Sequence, residues 1–225
     1  MQRFWHRGKL LMIDELIRPH LKDGSRLLEI GCGAGNLLLQ ATVAGSFPVA
    51  LDLSMQALTF VYSRLEATKS HREAPIGFAC TQAVGESLPL MSESFDCVLL
   101  SEVIEHLEEP QVSLREAVRV LGPGGRLLIT TPNYRSFWPV MEWTIDRLNM
   151  APKMAGEQHI SRFHLASLKN ILRDSRLEIE YAGSMYTLSP FLSMVSPERA
   201  DRLLQRELQS RSPLGMILVA VAVKH

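Results

Sequence analysis

The sequence lacks an excess of charge of either sign. Its 24 Lys and Arg residues balance 24 Asp and Glu residues, so the formal net charge is zero. Proteins that bind nucleic acid over a broad surface carry a basic excess, because contacts to phosphate dominate that kind of binding. The composition therefore argues against a broad nucleic-acid surface, although it leaves room for a local basic patch.

Cysteine is scarce, and long apolar runs are missing. Cys32, Cys80 and Cys97 lie far apart in hydrophobic stretches and match no metal-ligand or redox spacing. We interpret them as reduced core thiols, which fits a reducing compartment. No apolar run approaches the roughly 20 residues of a membrane span, and the first residues lack the apolar block of a signal peptide. These features predict a cytoplasmic protein.

Short apolar runs alternate with stretches of helical periodicity. The predicted strands cover residues 26–30, 48–51, 76–80, 97–101, 126–130, 177–181 and 215–223. The predicted helices cover residues 9–21, 111–121 and 165–173, and a further helix starts at Pro197 behind a Ser196 cap. The alternation predicts an α/β fold with a doubly wound, seven-stranded, mostly parallel sheet. We expect one domain over residues 1–225, with insertions at about 134–158 and 184–213.

The most informative segment is a glycine-rich turn directly after the first predicted strand. Gly31, Gly33 and Gly35 give a Gly-x-Gly-x-Gly spacing, whereas a dinucleotide fingerprint needs Gly-x-Gly-x-x-Gly. Glycines in such a turn let a ligand approach bare backbone. Glu29, two residues before the first glycine, adds weight to a cofactor site. A phosphate-binding P-loop is excluded because no Gly-Lys-Ser/Thr follows.

An acidic residue ends the second predicted strand. A carboxylate at the position of Asp52 is able to accept hydrogen bonds from both ribose hydroxyls of a nucleoside. The alternative interpretation is that Asp52 caps the helix that follows, a role that Ser54 could equally fill.

Further motifs follow in a consistent order. They are Gly85-Glu86-Ser87-Leu88-Pro89-Leu90, Ser94-Phe95-Asp96-Cys97-Val98, Ser101-Glu102-Val103-Ile104-Glu105-His106-Leu107 and Pro123-Gly124-Gly125-Arg126-Leu127-Leu128-Ile129. With the glycine turn and Asp52, this ordered set resembles the class I S-adenosylmethionine-dependent methyltransferases, in particular their small-molecule group, from residue 26 to about 133. The resemblance implies a Rossmann-like fold, S-adenosylmethionine as cofactor and methyl transfer as the activity.

The resemblance also assigns cofactor-binding roles. Gly31 and Gly33 would pass under the methionine part of the cofactor, and Asp52 would hold the ribose. The full implied set is Glu29, Gly31, Cys32, Gly33, Asp52, Leu53, Gly85, Glu86 and Ser101.

One position departs from the family pattern. Val84 stands where the family often has an acidic residue that binds the adenine amino group. Recognition of adenine would then fall to the backbone at Gly85 and Glu86, with help from Gln82.

Methyl transfer to a neutral oxygen also needs a group that removes a proton, such as a histidine, a carboxylate or a metal-activated site. Candidates cluster in the segment after the fourth strand, where ligands bind in this architecture. If that segment is helical, Glu102, Glu105 and His106 project to one side. A second histidine, His159, follows the first insertion. We expect His106 and His159 to lie near the acceptor as catalytic residues.

Two known groups have a similar arrangement. The ubiquinone-biosynthesis O-methyltransferases have a Glu-x-x-Glu-His segment, an insertion and a downstream histidine. The small-RNA 2′-O-methyltransferases share that segment, with a Thr-Pro-Asn that corresponds here to Thr131-Pro132-Asn133. In the RNA enzymes two glutamates and two histidines bind a divalent metal. The metal ligands carried over are Glu102, Glu105, His106 and His159, which would hold Mg²⁺ or another divalent cation.

The same segment is widespread among class I enzymes that use no metal, in which case His106 contacts the methionine region of the cofactor. Trp138 and Trp143 in the first insertion favour a lid over an apolar small-molecule acceptor, with contact to a membrane surface as the alternative. The second insertion would form the opposite wall or a dimer contact.

The leading hypothesis is therefore methylation of a small apolar acceptor at oxygen by S-adenosylmethionine. An RNA 2′-O-methyltransferase is one alternative, which the zero net charge disfavours. A non-catalytic cofactor-binding module is the other.

Overall fold

The computed structural model describes residues 2–68, 77–148 and 159–225. The strands are β1 Arg26–Ile30, β2 Phe47–Asp52, β3 Ala79–Gln82, β4 Phe95–Ser101, β5 Leu121–Pro132, β6 Leu177–Met185 and β7 Ile217–Lys224. The α-helices are α1 Gln2–Leu16, α2 Asn36–Ala41, α3 Met55–Thr68, α4 Pro110–Val120, α5 Trp138–Arg147, α6 Leu165–Asp174, α7 Ser189–Leu192 and α8 Pro197–Ser210. Short 3₁₀ turns occur at Arg18–His20 and Ile104–His106.

The strands form one sheet in the order β3-β2-β1-β4-β5-β7-β6. Strands β1 to β5 are parallel, and β7 pairs antiparallel with both β5 and β6. The chain proceeds outward from β1 to β3 and then returns to β4 on the other side of β1. Open α/β sheets bind ligands at such a reversal, beyond the carboxyl ends of the strands. The prediction of a doubly wound, seven-stranded, mostly parallel α/β sheet is confirmed.

Helices cover both faces of the sheet, which explains why the strands read as nearly continuous apolar runs. Leu27 packs into a buried cluster that includes residues of α1, α2, α3 and α8. Its neighbour Leu28 packs into a second cluster with residues of α4 and α6. Successive strand residues point to opposite faces, so both must be apolar. The final strand follows the same rule and lies inside the sheet, as its apolar sequence predicts.

The predicted bounds of the first helix, 9–21, are wrong at both ends. Helix α1 runs over Gln2–Leu16, and Pro19 lies in the 3₁₀ turn that follows. Proline lacks a backbone N–H and its ring clashes with the preceding helical turn, so the α-helix ends before it. The start was missed because Gly8 interrupts the helical pattern. This glycine lies against Tyr186, where an added Cβ would clash with the phenol ring.

Two other local predictions also change. The third strand is Ala79–Gln82 rather than 76–80, and residue 76 lies outside the described residues. Its pairing continues to the level of Asp52, which lies opposite Gln82. Ser196 occupies the N-cap position of α8, but its side chain makes no capping hydrogen bond. The proline at the start of α8, whose fixed φ suits the first helical turn, marks this helix start.

Both insertions contain helices. The first contributes α5, and residues 149–158 of that insertion lie outside the described residues. The second contributes α7 and α8, and β6 extends into its predicted start. The two insertions meet where the rings of Phe137 and Phe191 contact each other, with centroids 6.0 Å apart. Within the described ranges, no helix has the length and apolar character to cross a membrane.

Candidate active site

The glycine turn after β1 has backbone angles that glycine adopts without strain. The φ angles of Gly31, Gly33 and Gly35 are +67°, +49° and +66°. An added Cβ at Gly31 would lie 2.5 Å from a methyl group of Val103, so close packing also requires this glycine. An added Cβ at Gly33 would meet nothing within 4 Å. Bare backbone at Gly33 therefore faces open space, as a close approach by a ligand requires.

Asp52 lies at the end of β2 and connects two turns. Its Oδ2 accepts a hydrogen bond from the Gly33 N–H at 2.8 Å, and its Oδ1 accepts one from the Ser54 N–H at 2.8 Å. Each carboxylate oxygen has further lone-pair capacity, so two ribose hydroxyls could still donate to Asp52. The capping interpretation applies mainly to Ser54, whose Oγ accepts from the Ala57 N–H at 3.3 Å.

A pocket of about 280 Å³ lies beside the glycine turn. Its lining includes Glu29 of β1, Gly31 and Cys32 of the turn, Ser101 at the end of β4, Glu102 directly after it, and Trp5, His6 and Lys9 of α1. The Lys9 Nζ lies 3.7 Å from Glu102 Oε2. No residue of α1 was predicted for this site. A basic residue on the helix that precedes the first strand was the available signal, and it is a weak one.

Glu29 is buried beneath this pocket. Its Oε2 accepts a hydrogen bond from the Leu38 N–H at 3.1 Å. Burial raises the pKa of this carboxyl from 4.5 to about 8, although the Leu38 hydrogen bond and the Lys9 charge act in the opposite direction. Near neutral pH the Glu29 carboxyl therefore keeps its proton and is able to donate a hydrogen bond.

Cys32 is a free, buried thiol in the wall of the pocket. Burial, with a further contribution from Glu29, raises its pKa well above the ordinary value. The thiol is therefore neutral, and its environment is not that of a nucleophilic cysteine.

The residues predicted to contact ribose and adenine form a second group. Leu53, Gly85 and Glu86 are not part of the lining of the 280 Å³ pocket; Leu53 follows Asp52 directly, and Gly85 lies against the side chains of Ser113 and Ile30. Gln82 donates from Nε2 to the Leu53 carbonyl oxygen at 2.9 Å, so its amide supports the backbone beside Asp52. Of the predicted cofactor set, the pocket lining thus contains Glu29, Gly31, Cys32 and Ser101, whereas Gly33, Asp52, Leu53, Gly85 and Glu86 lie outside it.

The segment after β4 is not α-helical, so the condition under which Glu102, Glu105 and His106 would project to one side is not met. It contains only the 3₁₀ turn Ile104–His106, and Glu102 has a left-handed φ of +55°. Glu102 Oε1 accepts a hydrogen bond from Thr130 Oγ1 at 2.9 Å, and Thr130 Oγ1 lies 2.7 Å from Ser101 Oγ. Glu102 therefore faces β5 and α1, whereas Glu105 is buried and His106 is exposed.

Glu105, His106 and His159 do come together. One potential ligand atom from each lies within 4.8 Å of the other two, and the imidazole ring centroids are 5.1 Å apart. Glu105 Oε2 accepts from Thr131 Oγ1 at 3.0 Å, and burial, together with the Glu102 charge, raises the pKa of Glu105 well above its ordinary value. Glu102 is not part of this group. The structure therefore assembles three of the four residues predicted as metal ligands.

Two residues of the first insertion complete this region and were missed. Glu142 of α5 and Tyr134 both contact His159: Glu142 Oε1 lies 2.7 Å from His159 Nδ1, and the Tyr134 hydroxyl lies 3.0 Å from the same nitrogen. The Tyr134 hydroxyl also donates to Glu142 Oε1 at 2.8 Å. The one available signal was a glutamate among large apolar residues, between Met141 and Trp143.

Comparison with known proteins agrees with this geometry. The family described as a methyltransferase domain matches residues 28–129, which include the glycine turn, Asp52 and the Glu105–His106 segment. Residues 28–129, a little under half of the chain, thus match a methyltransferase domain, in agreement with the resemblance to the class I S-adenosylmethionine-dependent methyltransferases. A ubiquinone biosynthesis O-methyltransferase from Bradyrhizobium sp. (strain ORS 278) is 36% identical over 173 residues, which cover 75% of this chain and 64% of that protein. The match thus spans less than two thirds of the relative's length.

Solved structures show the same fold. An S-adenosylmethionine-dependent methyltransferase from Thermotoga maritima, named a possible histamine N-methyltransferase, superposes with a TM-score of 0.68 at 20% identity and covers 99% of this chain and 90% of that one. An S-adenosylmethionine-dependent methyltransferase from Archaeoglobus fulgidus gives a TM-score of 0.65 at 19% identity, with 99% and 97% covered. The Rossmann-like fold that the resemblance implies is therefore confirmed.

Proposed function

We propose that this chain binds S-adenosylmethionine at the glycine turn and methylates a small, apolar acceptor at a hydroxyl oxygen. The main support is the turn itself, where Asp52 accepts the Gly33 N–H and the bare backbone of Gly33 faces open space. Asp52 would hold the ribose, and Gly85 and Glu86 would lie along the adenine. The match to the methyltransferase family and the O-methyltransferase name of the relative agree with this assignment.

The charges around the pocket suit the amino-acid end of the cofactor. This end carries a carboxylate and an ammonium group. Lys9 would bind the carboxylate, Glu102 would accept from the ammonium, and the protonated Glu29 below would add a donor. Trp5 and His6 of α1 would cover this end and limit its contact with water.

When bound, S-adenosylmethionine supplies an electrophilic methyl group on a sulfonium sulfur. The residues of this chain would align the acceptor oxygen with that group and take up its proton. Methylation of the acceptor would release its hydroxyl proton, which an imidazole nitrogen of this chain would take up. We assign this proton to His159, which is 6% exposed, and its onward transfer to the exposed His106.

The insertions support an apolar acceptor. The side chains of Phe137, Val140 and Phe191 are about half exposed, and the two phenylalanine rings contact each other across the insertions. Exposed apolar surfaces of this kind mark binding sites for apolar ligands or partners. We propose that this surface receives the apolar part of the acceptor. Contact with a membrane surface through the same side chains is the alternative.

A divalent cation would be another way to activate the same hydroxyl. Glu105, His106 and His159 would supply one carboxylate oxygen and two imidazole nitrogens, which would leave coordination positions for the acceptor. Glu102 would have to leave Thr130 to complete the set predicted from the sequence. The cation therefore remains the second candidate.

Calorimetric titration with S-adenosylmethionine tests the cofactor assignment. We expect binding by the unaltered protein, and Asp52→Ala should weaken it by about 1–3 kcal/mol because a charged hydrogen-bond acceptor is lost. Absence of binding would contradict the proposal. A parallel titration in Mg²⁺ and in EDTA, repeated with a hydroxylated acceptor that has an apolar tail, decides between the two forms of activation. Methylation that persists in EDTA would eliminate the cation.

A further inference from the structure

His159 is held in a closed hydrogen-bond arrangement inside the protein. Its ring is 6% exposed, the partner Glu142 is 3% exposed, and their contact, Nδ1 to Oε1, is 2.7 Å. A carboxylate buried this deeply is costly without partners. Here Glu142 Oε1 receives both the Tyr134 hydroxyl, at 2.8 Å, and the imidazole. The two contacts explain how a carboxylate is tolerated in this place.

The direction of these hydrogen bonds determines which nitrogen carries the proton. Burial and the neighbouring Glu142 raise the pKa of Tyr134, so its hydroxyl remains a donor. A carboxylate oxygen accepts hydrogen bonds and donates none, so the 2.7 Å contact with Glu142 Oε1 favours a hydrogen on Nδ1 of His159. The Tyr134 hydroxyl, which lies 3.0 Å from the same Nδ1, then donates to Glu142 at 2.8 Å rather than to the ring. In the neutral ring this leaves the lone pair on Nε2, whereas free histidine favours the opposite tautomer.

Glu142 connects the first insertion to His159. Glu142 belongs to α5, the helix of the first insertion, and His159 follows that insertion. The His159 ring lies beside His106, in the group that also contains Glu105. The proposed acceptor surface and the proposed proton acceptor are therefore linked through one carboxylate.

We propose that Glu142 is a positioning residue, which holds His159 with its proton on Nδ1 and so leaves Nε2 free to take the proton of the acceptor. Tyr134 supports Glu142 from the other side. The proposal deepens the function proposed above and rests on it for the role of Nε2. The tautomer itself does not depend on any activity.

The tautomer is measurable in the purified protein by long-range ¹H–¹⁵N NMR with ring-labelled histidine. Loss of a signal in His159→Gln assigns the residue. We expect the Nδ1–H tautomer in the unaltered protein. Glu142→Met, which removes the acceptor oxygens at similar size, should shift His159 to the Nε2–H tautomer. Glu142→Gln retains one acceptor oxygen and should restore a large part of the Nδ1–H form, and Tyr134→Phe should retain it.

An Nε2–H ring or a doubly protonated ring in the unaltered protein would overturn the proposal, as would an unchanged tautomer in Glu142→Met. Binding of S-adenosylhomocysteine by each variant shows that the fold is intact. Once an acceptor is in hand, Glu142→Met should lower kcat by roughly 10–100-fold with an unchanged KM for S-adenosylmethionine. Failure of all cofactor binding would instead remove the proposed function and leave the tautomer result standing.

Discussion

At the scale of single residues, Lys9 offers a direct test of how the amino-acid end of the cofactor is held. Lys9→Met should weaken S-adenosylhomocysteine binding by about tenfold or more, because a charge-assisted hydrogen bond contributes roughly 1.5–3 kcal/mol. It should leave 5′-methylthioadenosine binding unchanged, since that ligand lacks the amino-acid end. Calorimetry with both ligands makes the comparison.

Arg7→Met is the matched control for this experiment. Arg7 lies on the same helix but pairs with Asp201, outside the pocket. Arg7→Met should leave the affinities for S-adenosylhomocysteine and for 5′-methylthioadenosine unchanged. An equal loss for both ligands in Lys9→Met would mean that Lys9 acts on the fold rather than on the carboxylate.

The buried Glu29 predicts a particular dependence of stability on pH. Its pKa is about 8 in the folded protein and about 4.5 in the unfolded chain, so between these values the folded state holds a proton that the unfolded state releases. The free energy of unfolding therefore falls as pH rises through this window. Glu29→Gln keeps an acceptor for the Leu38 N–H and removes the titration. Relative to wild type, it should gain a few kcal/mol in stability between pH 5 and pH 8.

Urea unfolding of both proteins at these two pH values measures the effect. An equal change in the free energy of unfolding of wild type and of Glu29→Gln between pH 5 and pH 8 would show that Glu29 is already ionised in the folded protein. This outcome would also remove the proposed donor role of its carboxyl.

Some site residues are predictable from the sequence and others are not. The two groups differ in how far apart in the chain the interacting residues lie. Gly31, Gly33 and Asp52 belong to local strand-to-turn patterns, and their spacing is set by short elements. Lys9 and Glu142 reach the site through tertiary packing, and no spacing rule connects either residue to the glycine turn or to His159. Such residues are recognisable only after the helices are placed.

At the scale of elements, Glu207 of α8 fixes the position of α7. Its carboxylate accepts hydrogen bonds from the backbone N–H groups of Thr187, Leu188 and Ser189 at 2.7–3.0 Å, and from Ser189 Oγ at 2.7 Å. Glutamine has one acceptor oxygen and would direct an NH₂ group at one of these donors. Glu207→Gln should therefore destabilise the protein by about 1–3 kcal/mol.

Chemical denaturation provides this measurement, with Glu108→Gln at an exposed site as the control for loss of one negative charge. Equal stability of the two variants would contradict the capping role of Glu207. Because α7 carries Phe191, which contacts Phe137, a loosened α7 should also reduce affinity for an acceptor with an apolar tail.

Element types were predictable because the hydrophobic periods are distinct, but several bounds and one conformation were not. The end of α1 depends on Pro19, while the glycine inside this helix, Gly8, packs against Tyr186, which is 178 positions away in the chain. The turn at Ile104–His106 depends on the left-handed Glu102, a conformation that few non-glycine residues adopt. Its hydrogen bond with Thr130 supports this conformation. Tertiary contacts of this kind leave no periodic signal.

At the scale of the whole molecule, the two halves of the proposed reaction come from different parts of the chain. The proposed cofactor side lies within residues 28–129, the part that matches the methyltransferase family, and α1 would cover it. The proposed acceptor side includes α5, α7 and the segment around His159, which lie outside the matched range. The match to the methyltransferase family therefore supports the proposed cofactor, whereas it says little about the identity of the acceptor. The order of the sheet explains why the two sides meet, since β4 and β5 carry both to the same edge.

This arrangement predicts a thermal response of the whole chain to the cofactor product. A ligand that binds only the folded state at about 100 times its Kd adds about 2.7 kcal/mol to the free energy of unfolding. For a domain of this size, each kcal/mol raises Tm by about 2–4 °C. S-adenosylhomocysteine at that excess should thus raise Tm by roughly 5–10 °C. Because Asp52→Ala weakens binding, the same concentration should raise its Tm by much less. A Tm that does not respond to S-adenosylhomocysteine would contradict cofactor binding, whereas equal shifts in both proteins would place the ligand away from Asp52.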